Sequence, residues 1–398
     1  MLFSIHRQPL SFKTLFLLCD TFTTLFVRLP LWLVIYTPPF MRIKRGWSLK
    51  RMIMIRWWQH ISSLGRMPVR LLEFPDHRAI APGEKGDWID PLPEQLLVGR
   101  IREMATVAGE KPIRLPGYWI DKEGHDIPFG APPHPGEKVV FHLHGGAYVF
   151  LSASPSDPTA GISRGLLERH QPIQRVFSIE YRLTLTPEGK AVNPFPTQLI
   201  DALSGYYYLV HTVGFNPADI IVDGDSAGGN LALALTRYLV DNQGRPDVEI
   251  PAPPGRLLLI SPWCDMSPVR AVPGSSWVEF ASTDYIDGVD IPKKAEYFCG
   301  PFGLSEAEVN EYISPASTHP ELEVSFKGFP STFLLCGGSE VFRDQIHVLR
   351  DRMVRDLGEE DVAYYEPPDA IHDFLNMTWL EPERTNSWNE IGRWLARY

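Results

Sequence analysis

From about residue 110 onward, short apolar runs alternate with longer stretches of helical periodicity. The segments "EKVVFHLH" (137–144), "QRVFSIEYRL" (174–183), "ADIIVDGD" (218–225), "GRLLLIS" (255–261), "STFLLCG" (331–337) and "DVAYYEP" (361–367) predict strands. Several are continuously apolar rather than alternating, which is the pattern of strands covered on both faces. Between them, 197–212, 228–242 and 341–357 predict helices. This alternation predicts an α/β fold, with a mostly parallel central sheet and helices on both faces. The rhythm breaks over 262–325, a long interval rich in Trp, Tyr, Pro and acidic residues, which reads as an inserted helical cap.

The first sixty residues follow a different pattern. "FKTLFLLCDTFTTLFVRLPLWLVIYTPPF" (12–40) is strongly apolar, but Asp20, Arg28 and Pro30 interrupt it. A spanning helix needs about 20 residues with few charges, and each central Asp or Arg opposes insertion by about 2.5–3.5 kcal/mol. A clean transmembrane helix is therefore not the expectation, and no small-residue cleavage site marks a secretory signal. The following "RIKRGWSLKRMIMIRWWQH" (42–60) mixes basic residues with Trp57 and Trp58 and contains no acid, a composition suited to a membrane interface. Two readings stay open for 1–60: a membrane-interfacial segment, which the composition slightly favours, or helices packed on the body as part of the cap. The first would make the protein membrane-associated rather than cytoplasmic.

The length of 398 residues suits one large domain with added segments, here 1–60 and then 61–398. Hydrophobic residues make up 44% and charged residues 22%, an ordinary globular balance. A net charge of −10 argues against nucleic acid as a partner. The cysteines Cys19, Cys264, Cys299 and Cys336 are scattered without metal-ligand spacing, so free thiols and no metal are expected. No phosphate-cradling glycine motif is present, so no cofactor is implied. Oligomeric state is left open.

Candidate chemistry concentrates in "IIVDGDSAGGNLALALTRYL" (220–239), where a predicted strand meets a predicted helix at Gly224-Asp225-Ser226-Ala227-Gly228. This is G-x-S-x-G. Glycines two residues either side of a serine let a sharp, strained turn form and expose the hydroxyl at the sheet edge. Such a nucleophile needs an oxyanion hole. In "VVFHLHGGAYVF", His144 is followed by Gly145, Gly146 and Ala147, whose backbone N–H groups are candidate donors together with that of Ala227. Removing one such donor typically lowers rate by on the order of 10²–10³. His144 itself reads as a structural residue of the loop.

Taken together, "HLHGGAYVF", "EYRL" with "PFPTQLIDA", "GDSAGGNLA", "SPWCDMS" and "IHDF" resemble the hormone-sensitive-lipase group of α/β-hydrolases, over about 137–374. The resemblance implies the α/β-hydrolase fold and a carboxylesterase- or lipase-like serine hydrolase acting on a small-molecule ester. It departs from the group at Ala147, where a third glycine is usual, and in the longer "LTLTPEGKAVN" before "PFP".

A serine needs a base, and in this fold the chain order is Ser, acid, His. His372 in "DAIHDFLNM" stands in the right place, whereas His347 falls in a helical stretch. Aligning Arg343-Asp344 with the Arg-Asp pair of the group puts Glu340 in the acid's position. Asp344 is the alternative, and Asp369 a more distant one. Asp225 and Asp265 read as loop organisers, Glu180-Tyr181-Arg182 as a buried polar unit below the site, and Tyr206-Tyr207-Tyr208 as the core and surface of a helix. The expected reaction is ester hydrolysis through an acyl-enzyme, most simply on a hydrophobic ester. A lactonase, deacetylase or acyltransferase would use the same residues, and a silent small-molecule receptor would lose the base.

Overall fold

The computed structural model describes residues 10–64, 75–268, 271–286 and 288–397. Its centre is an eight-stranded sheet of β1 (Gly86–Ile89), β2 (Leu115–Asp121), β3 (Lys138–Leu143), β4 (Ile173–Ile179), β5 (Ile220–Asp225), β6 (Arg256–Ile260), β7 (Ser331–Leu335) and β8 (Val362–Tyr365). The order is β1-β2-β4-β3-β5-β6-β7-β8. From β4 to β8 all neighbours run parallel, while β1 and β2 join antiparallel at one edge. The six strands predicted from apolar runs are β3–β8, each within a few residues of its expected range. β1 and β2 were not foreseen, because Pro116 and Gly117 interrupt β2 and β1 is only four residues long.

The helices are α1 (Leu10–Thr23), α2 (Leu29–Tyr36), α3 (Leu49–Leu64), α4 (Gly99–Ala108), α5 (Ala160–Arg169), α6 (Thr197–Tyr207), α7 (Ala227–Asp241), α8 (Ser276–Glu279), α9 (Ile291–Cys299), α10 (Leu304–Val309), α11 (Arg343–Leu357) and α12 (Glu383–Leu395). Two separate apolar clusters fill the space on the sheet's two faces. One holds Phe141, Phe177, Leu199, Val222, Leu231 and Leu259, joining alternate strand positions to α6 and α7. The other holds Val140, Val176, Ile221, Leu258, Phe333 and Trp388, joining the intervening positions to α5 and α12. The continuous apolar runs are thus buried on both faces, as a parallel sheet requires. Tyr206 and Tyr208 lie in the first core. The cysteines are free, with Cys264, Cys299 and Cys336 buried and Cys19 exposed.

Residues between β6 and β7 carry the short helices α8, α9 and α10. α3 is bound to the body by buried residues Met52 and Ile55 and by the near-buried ion pair of Arg51 with Glu383, at 2.7 Å. α2 packs on α3, and α1 leads into α2 through a π-helical turn, Thr24–Arg28.

Candidate active site

Ser226 sits between β5 and α7 with φ 51° and ψ −115°. That region costs a non-glycine residue about 1–3 kcal/mol and persists only where the surroundings dictate it. Here they do. The Ser226 N–H donates to the Ile260 carbonyl at 2.9 Å, and its carbonyl accepts from Trp263 N–H at 2.9 Å. The two flanking glycines are sterically required. A Cβ on Gly224 would lie 2.3 Å from the Gly228 carbonyl oxygen, and one on Gly228 would lie 1.9 Å from that of Leu143. The turn therefore closes only with glycine on both sides.

The strand ends bring the predicted partners together. Asp225 pairs in register with Ile260, and Ile260 with Leu335, so the loops after β5, β6 and β7 begin at one height. His372 follows β8, and its Nε2 lies 2.9 Å from Ser226 Oγ. Glu340 follows β7. Its Oε2 accepts from the Ser261 hydroxyl at 2.6 Å and from Gly337 N–H at 2.9 Å. Its Oε1 is buried without a hydrogen bond and faces His372 Nδ1, equally unpaired, at 4.0 Å. Each of these two orphaned atoms is the other's facing partner, and about 1 Å of approach would make the bond. All three side chains are nearly sealed from solvent: Ser226 is 6% exposed, His372 1% and Glu340 0%.

The rival residues point elsewhere. Asp344 accepts from Ser276 N–H at 2.8 Å, Asp369 pairs with Lys44 at 3.0 Å, and His347 meets Glu366 at 2.6 Å. Asp265 accepts from Ser267 N–H, a loop role as expected. Arg182 pairs with Asp201 and Glu110, Tyr181 donates to the His144 carbonyl, and Glu180 bonds Ser152. His144 bonds the loop through Nδ1 to the Gly145 carbonyl, and its ring stacks on Tyr181 at 4.2 Å. Burial depresses its pKa to about 3, so it is neutral and structural.

The candidate oxyanion loop differs from expectation at Gly145. Its N–H donates to Asp225 Oδ1 at 3.1 Å and is committed to holding the loop. A Cβ there would also lie 2.4 Å from Asp225 Oδ2. The N–H groups of Gly146, Ala147 and Ala227 have no internal acceptor among the described residues. Ala147 keeps the left-handed backbone, φ 51°, that a glycine would adopt freely.

Two carboxyls beside His372 escaped the sequence. Asp284, from the segment between α8 and α9, accepts from His372 N–H at 3.4 Å and from Val341 N–H at 2.9 Å. Asp373 places Oδ2 3.1 Å from His372 Nε2, beside the Ser226 contact. Its left-handed φ of 49° turns the carboxylate back onto its neighbour's ring, a bend that spacing alone does not reveal. The Asp373 contact is satisfied only while Nε2 carries a proton, whereas accepting the serine proton needs Nε2 bare. Burial alone would lower the His372 pKa, but Asp373 and then Glu340 outweigh it and hold it well above the ordinary histidine range. Asp284, held by the His372 backbone N–H, is a third carboxyl nearby, and burial pushes its pKa up to about 7. A base with a raised pKa is inactive until pH exceeds it. The acid limb of kcat/KM is therefore expected above pH 6.5, and Asp373→Asn should move it to lower pH. A pH–rate profile of both proteins tests this; an unmoved limb would show that Asp373 does not control the base.

The family model described as alpha/beta hydrolase fold matches residues 140–376, more than half the chain. Among curated proteins, the chain is 33% identical over 157 residues to an esterase of Acinetobacter venetianus, covering 39% of this chain and 43% of that protein. It is 26% identical to esterase LipU of Mycobacterium tuberculosis, covering 65% and 77%, and 25% identical to carboxylesterase/phospholipase LipF of the same species, covering 65% and 61%. The chain thus spans less than two thirds of the length of two of these three relatives. An esterase/lipase from an uncultured bacterium superposes with a TM-score of 0.56 at 21% identity, covering 93% of this chain and 97% of that one. A hormone-sensitive lipase from a metagenome library gives 0.54 at 20% identity, covering 86% and 91%. At these identities the superpositions speak for the fold. With the family match, the chain belongs to the alpha/beta hydrolase fold family.

Proposed function

We propose that this protein is a serine hydrolase that cleaves a carboxylic ester through an acyl-enzyme. The observation that carries the reading is the 2.9 Å contact between Ser226 Oγ on its strained turn and His372 Nε2, with Glu340 facing the other ring nitrogen. In this reading Ser226 attacks the ester carbonyl as His372 takes the hydroxyl proton. Glu340 fixes the imidazole tautomer and stabilises the imidazolium. The N–H groups of Gly146, Ala147 and Ala227 receive the oxyanion. As the C–O bond breaks, His372 returns the proton to the leaving alcohol. Water repeats the sequence, frees the acid and regenerates Ser226.

The segment 262–325 serves as a cap over the strand ends, and the aromatic residues beside the base, Tyr285 and Phe342, suit a hydrophobic ester. Lactone opening, amide deacetylation and acyl transfer would use the same groups. The retained base argues against a silent receptor.

The test treats the purified full chain with an active-site-directed fluorophosphonate and locates the adduct by mass spectrometry. Labelling at Ser226 that weakens in His372→Ala is expected. A folded protein left unlabelled would overturn the proposal and direct attention to a bound ligand.

A further inference from the structure

The helix pair at the N-terminus is turned inside out for a protein in water. Along α1 and α2 the outward positions are Leu, Phe and Val: Leu18 is 63% exposed, Phe22 60%, Phe26 65% and Val34 74%. The charged pair and two threonines turn inward. Arg28 Nη1 bonds Asp20 Oδ1 at 3.0 Å and the Thr23 and Thr24 hydroxyls at 2.8 Å each, and Asp20 also meets His60 Nε2 of α3 at 3.2 Å. A water-facing surface helix shows the opposite arrangement. The stretch Lys13–Tyr36 has 24 residues, and its most apolar part has a mean hydropathy of 1.5 and is 0% buried. At 1.5 Å per residue such a helix is about 36 Å long, against about 30 Å for the hydrocarbon of a bilayer. Asp20 and Arg28, which in the sequence count against lipid, neutralise one another on the inward face. Intramembrane charges are tolerated in that arrangement.

The other side of this helix pair leads to the active site. α3 carries it, and Gln59 of α3 donates to the carbonyls of Ser282 at 2.9 Å and Asp284 at 2.8 Å. The Trp58 ring lies 5.9 Å from Tyr285, whose ring lies 5.8 Å from His372. Two ring contacts thus separate α3 from the base.

We propose that the outward face of α1 and α2 inserts into a lipid bilayer, and that α3 holds the active site against it, so that esters dissolved in the lipid are the substrates. The substrate clause rests on the ester-hydrolase reading; the lipid clause stands on the helix pair alone. Broad apolar exposure of this kind marks a membrane or protein interaction surface. Inward pairing of the charged Asp20 and Arg28, with Thr23 and Thr24, favours lipid over a second copy.

The experiment floats the full chain with phosphatidylcholine vesicles on a density gradient, beside the triple variant Leu18→Ser, Phe22→Ser, Phe26→Ser. The wild type is expected in the vesicle fraction and the variant below it, while both hydrolyse a short soluble ester alike. For a long-chain ester dissolved in the vesicles, the variant should lose at least about tenfold in turnover. A wild type that stays below the vesicles, a variant that floats equally, or a detergent-free dimer that only the wild type forms would overturn lipid insertion. Equal turnover of the vesicle ester would overturn the substrate clause. If soluble-ester turnover is absent from the wild type, the hydrolase reading falls while flotation still decides the docking. Should only the triple variant lose that turnover, the double variant Phe26→Ser, Val27→Ser replaces it in both assays.

Discussion

Ser226→Ala is expected to lower kcat on a soluble ester by on the order of 10⁴–10⁶ while leaving the fold intact. The elbow is held by backbone, through Ser226 N–H to Ile260 and Ser226 carbonyl to Trp263, and alanine retains both bonds. The hydroxyl bonds His372, so its removal deletes the nucleophile with little structural change. Residual rate would come from the oxyanion donors and from binding. Steady-state kinetics with thermal melting of both proteins checks this. An unchanged melt with near-native kcat would remove Ser226 from the mechanism.

Glu340→Gln should lower kcat by about 10⁴, in line with loss of the acid in a triad. Glutamine is nearly the same size, and its amide oxygen can take the place of Oε2, accepting from Ser261 and Gly337. The amide nitrogen then faces His372 Nδ1 and donates to it. That selects the tautomer with the proton on Nε2, which cannot accept from serine. Asp344→Asn should leave kcat near the wild-type value, since Asp344 serves the backbone of Ser276. If the two variants exchanged these outcomes, Asp344 would be the acid.

Much of this arrangement could be read from the sequence, for identifiable physical reasons. The parallel strands β3–β7 are buried on both faces, which is why several of them read as continuous apolar runs. Ser226 was marked by glycines whose absence of Cβ the turn demands, and His372 by chain order. What escaped depends on backbone bends and distant pairing. Gly145 reads as an oxyanion donor until its N–H is seen bonded to the Asp225 carboxylate. Asp373 reads as an ordinary neighbour of His372 until a left-handed φ folds it back. Asp20 and Arg28 interrupt an apolar run in one dimension but pair across two turns of helix in three.

The alignment of strand ends at the site has one more consequence. Ser226, Ser261 and Glu340 follow β5, β6 and β7, which are hydrogen-bonded neighbours, and His372 follows the adjoining β8. The lateral spacing of Ser226 and Ser261, each directly after its strand, is therefore set by the interstrand distance, about 4.8 Å, while loops of four and six residues carry in Glu340 and His372. Loop lengths beyond these residues can drift without moving the reacting atoms apart. A one-residue insertion within β6 cannot be absorbed, because it would turn every side chain of that strand to the opposite face and carry Ser261 away from the Glu340 carboxylate. The sheet is thus the ruler of this site, and β6 is where its calibration is most exposed to error.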